Sequence, residues 1–181
     1  MRSRARTSSS TRSKTLTPPE LTSASVPPVG PEDHIRGEGR EAILYLDLAC
    51  PHCAATWAQL SGLPLRLVFR HFPVASKHPR APALHAAAEA AALQGSEEAF
   101  WALVDSIYRD QGRVDDPHLW ERASGLGFDV ERFDRDRRST ALAERVRRDF
   151  EGGIRAGVVA TPAAFLDGAA VAGDLASELA L

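Results

Sequence analysis

Two cysteines three positions apart constrain this chain more than any other feature. Cys50-Pro51-His52-Cys53 holds the only cysteines among 181 residues and follows the apolar run Ile43-Leu44-Tyr45-Leu46. Such a run reads as a buried strand, so the motif stands where a strand ends and a helix begins. A helix N-terminus presents unpaired N–H groups and a partial positive charge, and that environment favours a thiolate at the first cysteine. Pro51 suits the first helical turn, where no N–H is needed and φ is already helical. With no other cysteine in the chain, any intramolecular disulfide has to join Cys50 to Cys53. Redox chemistry is the expected use of the pair, ahead of a structural staple.

The chain is long enough for one domain, or one domain with an insertion, and its 44% hydrophobic content supports a core. Charge is unevenly spread: residues 1–30 carry a net +4 and the remainder a net −6. An acidic body argues against nucleic acid as a partner, because phosphate binding needs a basic surface. No stretch approaches the roughly 18 apolar residues of a transmembrane helix, so no membrane partner is expected. Sixteen of the first 30 residues are Ser, Thr or Pro, a composition that buries little apolar surface and is expected to be disordered. The same segment lacks the apolar core of a secretory signal. A cytoplasmic protein is the expectation, although an Arg-rich, Ser-rich and acid-poor start also suits an organelle transit peptide.

The tail is expected over residues 1–37 and a single domain over 38–181. Arg40–Leu48 reads as the first strand. A short helix opens at the cysteine motif and stops near Ser61-Gly62, and Leu65–Phe72 reads as a second strand, giving a βαβ unit. Ala81–Gln94, rich in the best helix former, starts a helical block. Ser96 is a candidate cap for the next helix, whose Phe100, Leu103, Val104 and Ile107 share one face. Pro117–Leu126, Val130–Arg137 and Ser139–Arg155 read as three more helices. Strand character returns after Gly157, and Ala163–Leu166, Asp167-Gly168 and Ala169–Ala172 read as a hairpin on an Asp-Gly turn. Residues 174–181 have room for about two helical turns. The expected class is α/β, with helices inserted at about residues 75–156.

Three segments together resemble the DsbA-like branch of the thioredoxin superfamily. Tyr45-Leu46-Asp47-Leu48-Ala49-Cys50-Pro51-His52-Cys53 is similar to the pattern Tyr-x-Asp-Phe-x-Cys-Pro-x-Cys, with Leu48 in place of Phe. Phe69-Arg70-His71-Phe72-Pro73 resembles the family's second strand end. Val158-Val159-Ala160-Thr161-Pro162-Ala163-Ala164-Phe165-Leu166-Asp167-Gly168 resembles its cis-proline strand and hairpin. The likeness runs over residues 40 to 173 or so. It departs in a short helix after Cys53, in Ala160 and Ala163 where Gly and Thr are usual, and in a nearly absent terminal helix. The resemblance implies a thioredoxin-like α/β fold with an inserted helical domain. It also implies thiol–disulfide exchange with protein or peptide cysteines, supported by a redox partner and needing no metal or organic cofactor.

Within that reading Cys50 is the nucleophile and Cys53, a turn further in, the resolving thiol. His52 stabilises the Cys50 thiolate by charge or hydrogen bonding. By resemblance, Pro162 follows a cis peptide bond facing the cysteines, and the Thr161 backbone pairs with an extended substrate chain. Asp47 either assists proton transfer to Cys53 or caps the helix, with the cap preferred. His71, His78 and His85 form no recognisable constellation, and no His pair has the spacing of a zinc site. Phe100 and Trp101 are expected in the core, and Trp57 in the helix that carries the motif. Two rival readings remain. One is a redox-inactive thioredoxin-like module that grips extended peptides. The other is a glutathione-linked enzyme acting on small-molecule thiols, which would have no need of Cys53.

Overall fold

Alternation along Ala42-Ile43-Leu44-Tyr45-Leu46 sends successive side chains to opposite faces of a sheet, and here both faces are covered. The computed structural model describes residues 25–60 and 62–179. Its five strands are β1 (His34–Arg36), β2 (Arg40–Leu46), β3 (Leu65–His71), β4 (Ala163–Leu166) and β5 (Ala169–Ala170). They lie in the order β1-β3-β2-β4-β5. The β2–β3 pair is parallel, with Leu44 opposite Phe69. The β1–β3, β2–β4 and β4–β5 pairs are antiparallel. Among the described residues seven helices accompany them: α1 (Pro51–Leu60), α2 (Ala81–Ala92), α3 (Glu97–Arg109), α4 (Asp116–Gly125), α5 (Val130–Asp136), α6 (Thr140–Arg155) and α7 (Leu175–Leu179).

On one face of the sheet Leu44, Leu46 and Phe69 pack with Trp57 of α1, Leu84 of α2, Phe100 and Leu103 of α3, Leu119 of α4 and Phe133 of α5. On the other, Ile43, Tyr45, Val68 and Phe72 pack with Phe165 and Phe150. Burying both faces explains why β2 reads as a continuous apolar run. α6 lies so close over this second face that a Cβ on Gly153 would come within 2.8 Å of both Phe72 and Tyr45. Asp115, Asp129 and Ser139 cap α4, α5 and α6 by accepting N–H bonds from His118, Arg132 and Leu142, each worth about 1 kcal/mol. Ser96 occupies the cap position of α3, but its side chain makes no cap bond. In the hairpin Asp167 and Gly168 both take positive φ, 50° and 84°, as a type I′ turn requires.

The N-terminal boundary needs correction. A tail running to residue 37 was expected, yet the chain packs on the sheet before that point, and β1 forms its edge. His34-Ile35-Arg36, a single β-branched residue between two polar ones, is too short to signal a strand on its own. They are held because His34 pairs opposite Phe69, the Ile35 N–H donates to Glu97 Oε1 at 3.0 Å, and Asp33 meets Arg70 at 2.9 Å. Residues 1–24 of the expected tail lie outside the described residues.

Candidate functional site

β2 delivers the chain to a turn, Asp47–Cys50, and α1 leaves from it. The Cys50 N–H donates to Asp47 O at 3.1 Å, and Cys50 O accepts the first helical bond, from Ala54 N at 3.2 Å. Cys50 therefore occupies the N-cap position, Pro51 the first helical position, and Cys53 the third. Gln111 holds the turn from outside, its amide donating to Leu48 O at 2.8 Å and to Cys50 O at 3.1 Å. Both cysteines are free thiols.

The two sulfurs sit in different surroundings. Cys50 keeps 5% exposure and Cys53 none, so the outer cysteine is more enclosed than its place at the helix start suggested. Cys50 Sγ donates to the Thr161 carbonyl at 3.7 Å, and the Thr161-Pro162 peptide bond is cis. Cys53 Sγ accepts from the Asp47 N–H at 3.4 Å. Burial pushes the Cys53 thiol far above the ordinary thiol range, and that N–H only partly offsets the effect. His52 is exposed and lines, with Thr161, Pro162, Val159 and Leu175, a groove of about 600 Å³. His52, Thr161 and Pro162 thus line one groove, and Cys50 meets it through the Thr161 carbonyl, while Cys53 has no exposure.

Asp47 does not cap the helix in the form expected. Its Oδ1 accepts from Ala49 N at 2.8 Å and its Oδ2 from Val74 N at 2.9 Å. The carboxylate therefore braces the turn ahead of α1 against the segment after β3, and does not cap the helix itself. Burial works against its ionised form, but the neighbouring His85 first, and then the Val74 and Ala49 N–H donors, hold the carboxyl below its ordinary range.

Behind Asp47 lies a constellation that the sequence did not reveal. His85 Nε2 stands 3.8 Å from Asp47 Oδ1, and His85 Nδ1 is 2.7 Å from His71 Nδ1. His71 Nε2 is 2.6 Å from Glu89 Oε1, which is also 3.0 Å from His34 Nε2. His34 Nδ1 in turn is 2.9 Å from Glu97 Oε2. One signal was available: His85 and Glu89 are four apart and share a face of α2. His34 gave none, because it fell in the presumed tail.

A family model described as a DSBA-like thioredoxin domain matches residues 55–179, and the chain belongs to this family. The matched stretch begins just after Cys53, so the cysteine pair rests on the geometry above. Among solved structures, a thioredoxin-like oxidoreductase from Silicibacter pomeroyi is 26% identical, with a TM-score of 0.69, covering 83% of this chain and 89% of that one. BdbD from Bacillus subtilis, in its oxidised form, superposes with a TM-score of 0.72 at 14% identity, covering 87% and 93%; at that identity the likeness shows the fold. The thioredoxin-like fold with its helical insertion is thereby established.

Curated relatives carry a different name. A Na(+)/H(+) antiporter NhaA of Herminiimonas arsenicoxydans is 42% identical over 152 residues, covering 78% of this chain and 24% of the antiporter. A second, NhaA 1 of Mycolicibacterium gilvum, is 34% identical over 166 residues, covering 84% and 26%. The chain spans about a quarter of the length of these relatives. Among the described residues no helix is long and apolar enough to cross a membrane.

Proposed function

We propose that this chain is a thiol–disulfide oxidoreductase that exchanges disulfides with protein or peptide cysteines through Cys50 and Cys53. One observation carries the proposal. An outer thiol at a helix N-terminus faces the Thr161 carbonyl across 3.7 Å beside an open groove, with a fully buried second thiol one turn below.

In the reductive direction the Cys50 thiolate attacks a substrate disulfide. A Cys50–substrate bond forms, the substrate S–S bond breaks, and the electron pair leaves on the second substrate sulfur. Cys53 then attacks Cys50 Sγ, forming the internal disulfide and releasing the substrate thiolate. A partner dithiol restores the reduced pair, and the oxidative direction reverses each step. The two thiols carry both electrons, so the chemistry as written calls for no further group. His52, on the rim, stabilises the Cys50 thiolate. The Thr161 backbone pairs with an extended substrate, and Pro162 shapes that edge. We place the reaction in the cytoplasm, where a dithiol rests mostly reduced and cycles.

Equilibration in graded glutathione buffers, with free thiols counted by alkylation and mass spectrometry, tests the proposal. A reversible Cys50–Cys53 disulfide is expected. A midpoint near about −270 mV would mark a reductase and one near about −120 mV an oxidant. Absence of any reversible disulfide, with peptide binding retained, would replace the proposal with a redox-inactive binding module. Full activity in Cys53→Ser would point to glutathione-linked small-molecule chemistry instead.

A further inference from the structure

The carbonyls of the Asp47–Cys50 turn are held by the helical insertion, from outside the strand and helix that the turn joins. Gln111, in the loop after α3, uses both hydrogens of its amide there, one on Leu48 O at 2.8 Å and one on Cys50 O at 3.1 Å. The Tyr108 hydroxyl, near the end of α3, donates to Asp47 O at 3.4 Å. We propose that Gln111 is a positioning residue for thiol–disulfide exchange, a donor that keeps Cys50 at the N-cap of α1 and so favours its thiolate. The proposal rests on the oxidoreductase reading above.

The loop that presents Gln111 is itself fastened. Arg122 of α4 has a side chain only 12% exposed, and its guanidinium donates to the carbonyls of Ser106, Asp110 and Arg113. The Asp110 N–H bonds to Ile107 O at 3.1 Å. Gln111 is therefore mounted between two pinned residues, and little backbone freedom is lost when its amide closes on the turn.

Two effects run from this amide to the sulfur. The first is order. A helix N-terminus stabilises an anion through the N–H groups of its first turn, and helix ends fray. One helical bond ties Cys50 to that turn, from Ala54 N to Cys50 O at 3.2 Å. Gln111 takes the second lone pair of the same oxygen and holds Leu48 O as well, so displacing Cys50 breaks the Gln111 bonds along with the helical one. The second effect is electrostatic. A carbonyl oxygen is partly negative, and that of Cys50 lies within about 5 Å of its own Sγ by covalent geometry. Amide hydrogens on this oxygen and on Leu48 O offset that charge, whereas a carboxylate in their place would add to it.

The titratable groups around Cys50 come from three elements: His52 and Cys53 from α1, Asp47 from the turn, and Tyr108 from α3. Burial first, and then the neighbouring Cys53, Asp47 and Cys50, raise the Tyr108 hydroxyl well above its ordinary range, so it stays a donor. From the segment ahead of β4 the Thr161 carbonyl meets the sulfur. A substitution at position 111 leaves all of these in place. A favoured Cys50 thiolate stabilises the reduced protein, which makes its disulfide easier to reduce.

The test uses the full chain with three substitutions. Gln111→Met keeps the volume and removes the donors, Gln111→Glu adds a negative charge to that loss, and Gln111→Lys returns a donor. Alkylation of Cys50 by iodoacetamide is followed across pH by mass spectrometry, the equilibrium constant with glutathione is measured for each variant, and urea unfolding records stability. The midpoint of the alkylation curve is expected to rise by roughly 0.5–1 unit in Gln111→Met, a threefold to tenfold change of about the worth of one hydrogen bond. It should rise further in Gln111→Glu and return towards wild type in Gln111→Lys. The glutathione equilibrium should follow the same order, with the disulfide of Gln111→Glu the hardest to reduce. Curves and equilibria that match wild type in folded Gln111→Met and Gln111→Glu would overturn the proposal. A change confined to urea unfolding would overturn it too, leaving Gln111 a brace of the fold. Equal shifts in all three variants would assign the effect to a loosened loop and overturn the donor role. If Gln111→Met does not fold, the difference between Gln111→Glu and Gln111→Lys decides. Absence of any reversible disulfide in the unmodified chain would instead remove the oxidoreductase reading, while the alkylation curves, which need no disulfide, still decide whether Gln111 acts on Cys50.

Discussion

Arg70 and His71 are neighbours on β3, point to opposite faces of the sheet, and both reach partners in the segment that carries β1. Arg70 grips Asp33 through two nitrogens, at 2.9 and 3.0 Å, and also donates to Pro27 O and Pro28 O. His71 meets His34 through their shared acceptor, Glu89. Both arrangements bury charge and fasten the same stretch of chain. They differ in what can change. A guanidinium keeps its proton at every accessible pH, so the Arg70 side is a fixed clamp. An imidazole can stand neutral or charged, and the fold drives His85 down to about 4 and His34 up, so the His71 side holds a state that pH can alter. Adjacent residues on one strand thus separate anchoring from proton chemistry.

Arg70→Met should break the clamp with the largest effect on stability. It strands the Asp33 carboxylate, 8% exposed, and should cost about 3–5 kcal/mol in urea unfolding, while the pH profile of the folded protein's thiol reactions stays as it was. On the other face, His71→Leu leaves Glu89 and His85 each short of one hydrogen bond. The expected loss is about 1–3 kcal/mol, smaller than for Arg70→Met; an equal or larger loss would mean that the histidine string is as much an anchor as the ion pair.

The pH dependence of unfolding sharpens the contrast further. His85, lowered from 6.5 to about 4, takes up a proton more readily unfolded than folded. Its contribution is complete above 6.5 and is lost as the pH falls towards about 4. His34, raised above 6.5, contributes fully below 6.5 and fades as the pH rises through its folded value. Asp33 is lowered from 3.8 despite its burial, held there chiefly by Arg70, so its contribution is lost only as the pH falls below that ordinary value. His85→Gln should therefore flatten the unfolding curve between 6.5 and about 4, and Asp33→Asn should leave that interval unaltered. The smallest effect belongs to Glu97→Gln at the exposed end, at most about 1 kcal/mol.

The same comparison shows what could be read from the sequence. The Arg40–Leu46 and Leu65–His71 strands, the cysteine turn, the Asp167-Gly168 hairpin and the helical insertion were legible because each rests on a local cause: apolar periodicity, a proline at a helix start, paired positive φ. Cys50, Cys53, Thr161 and Pro162 were legible as motifs. β1 was not, since His34-Ile35-Arg36 becomes a strand only when β3 lies beside it. The histidine string was hidden for a related reason. Its members come from β1, β3, α2 and α3, and His85 and Glu89 sit among alanines that look like ordinary helix. Asp47 looked like a cap because its spacing from the helix was right, and only the Val74 N–H, 27 residues away, reveals it as a brace.

The Thr161 carbonyl that faces Cys50 lies 111 residues further along the chain, and β4, which closes the open side of β2, comes after it. During synthesis at roughly 5–20 residues per second, the cysteine turn therefore leaves the ribosome on the order of ten seconds before its lid exists. Throughout that interval the cysteine pair lacks β4, the strand that flanks β2 on the side away from β3. A newborn chain is thus open to exchange with disulfides around it, and its maturation depends on the redox state of the surroundings before it can act on them.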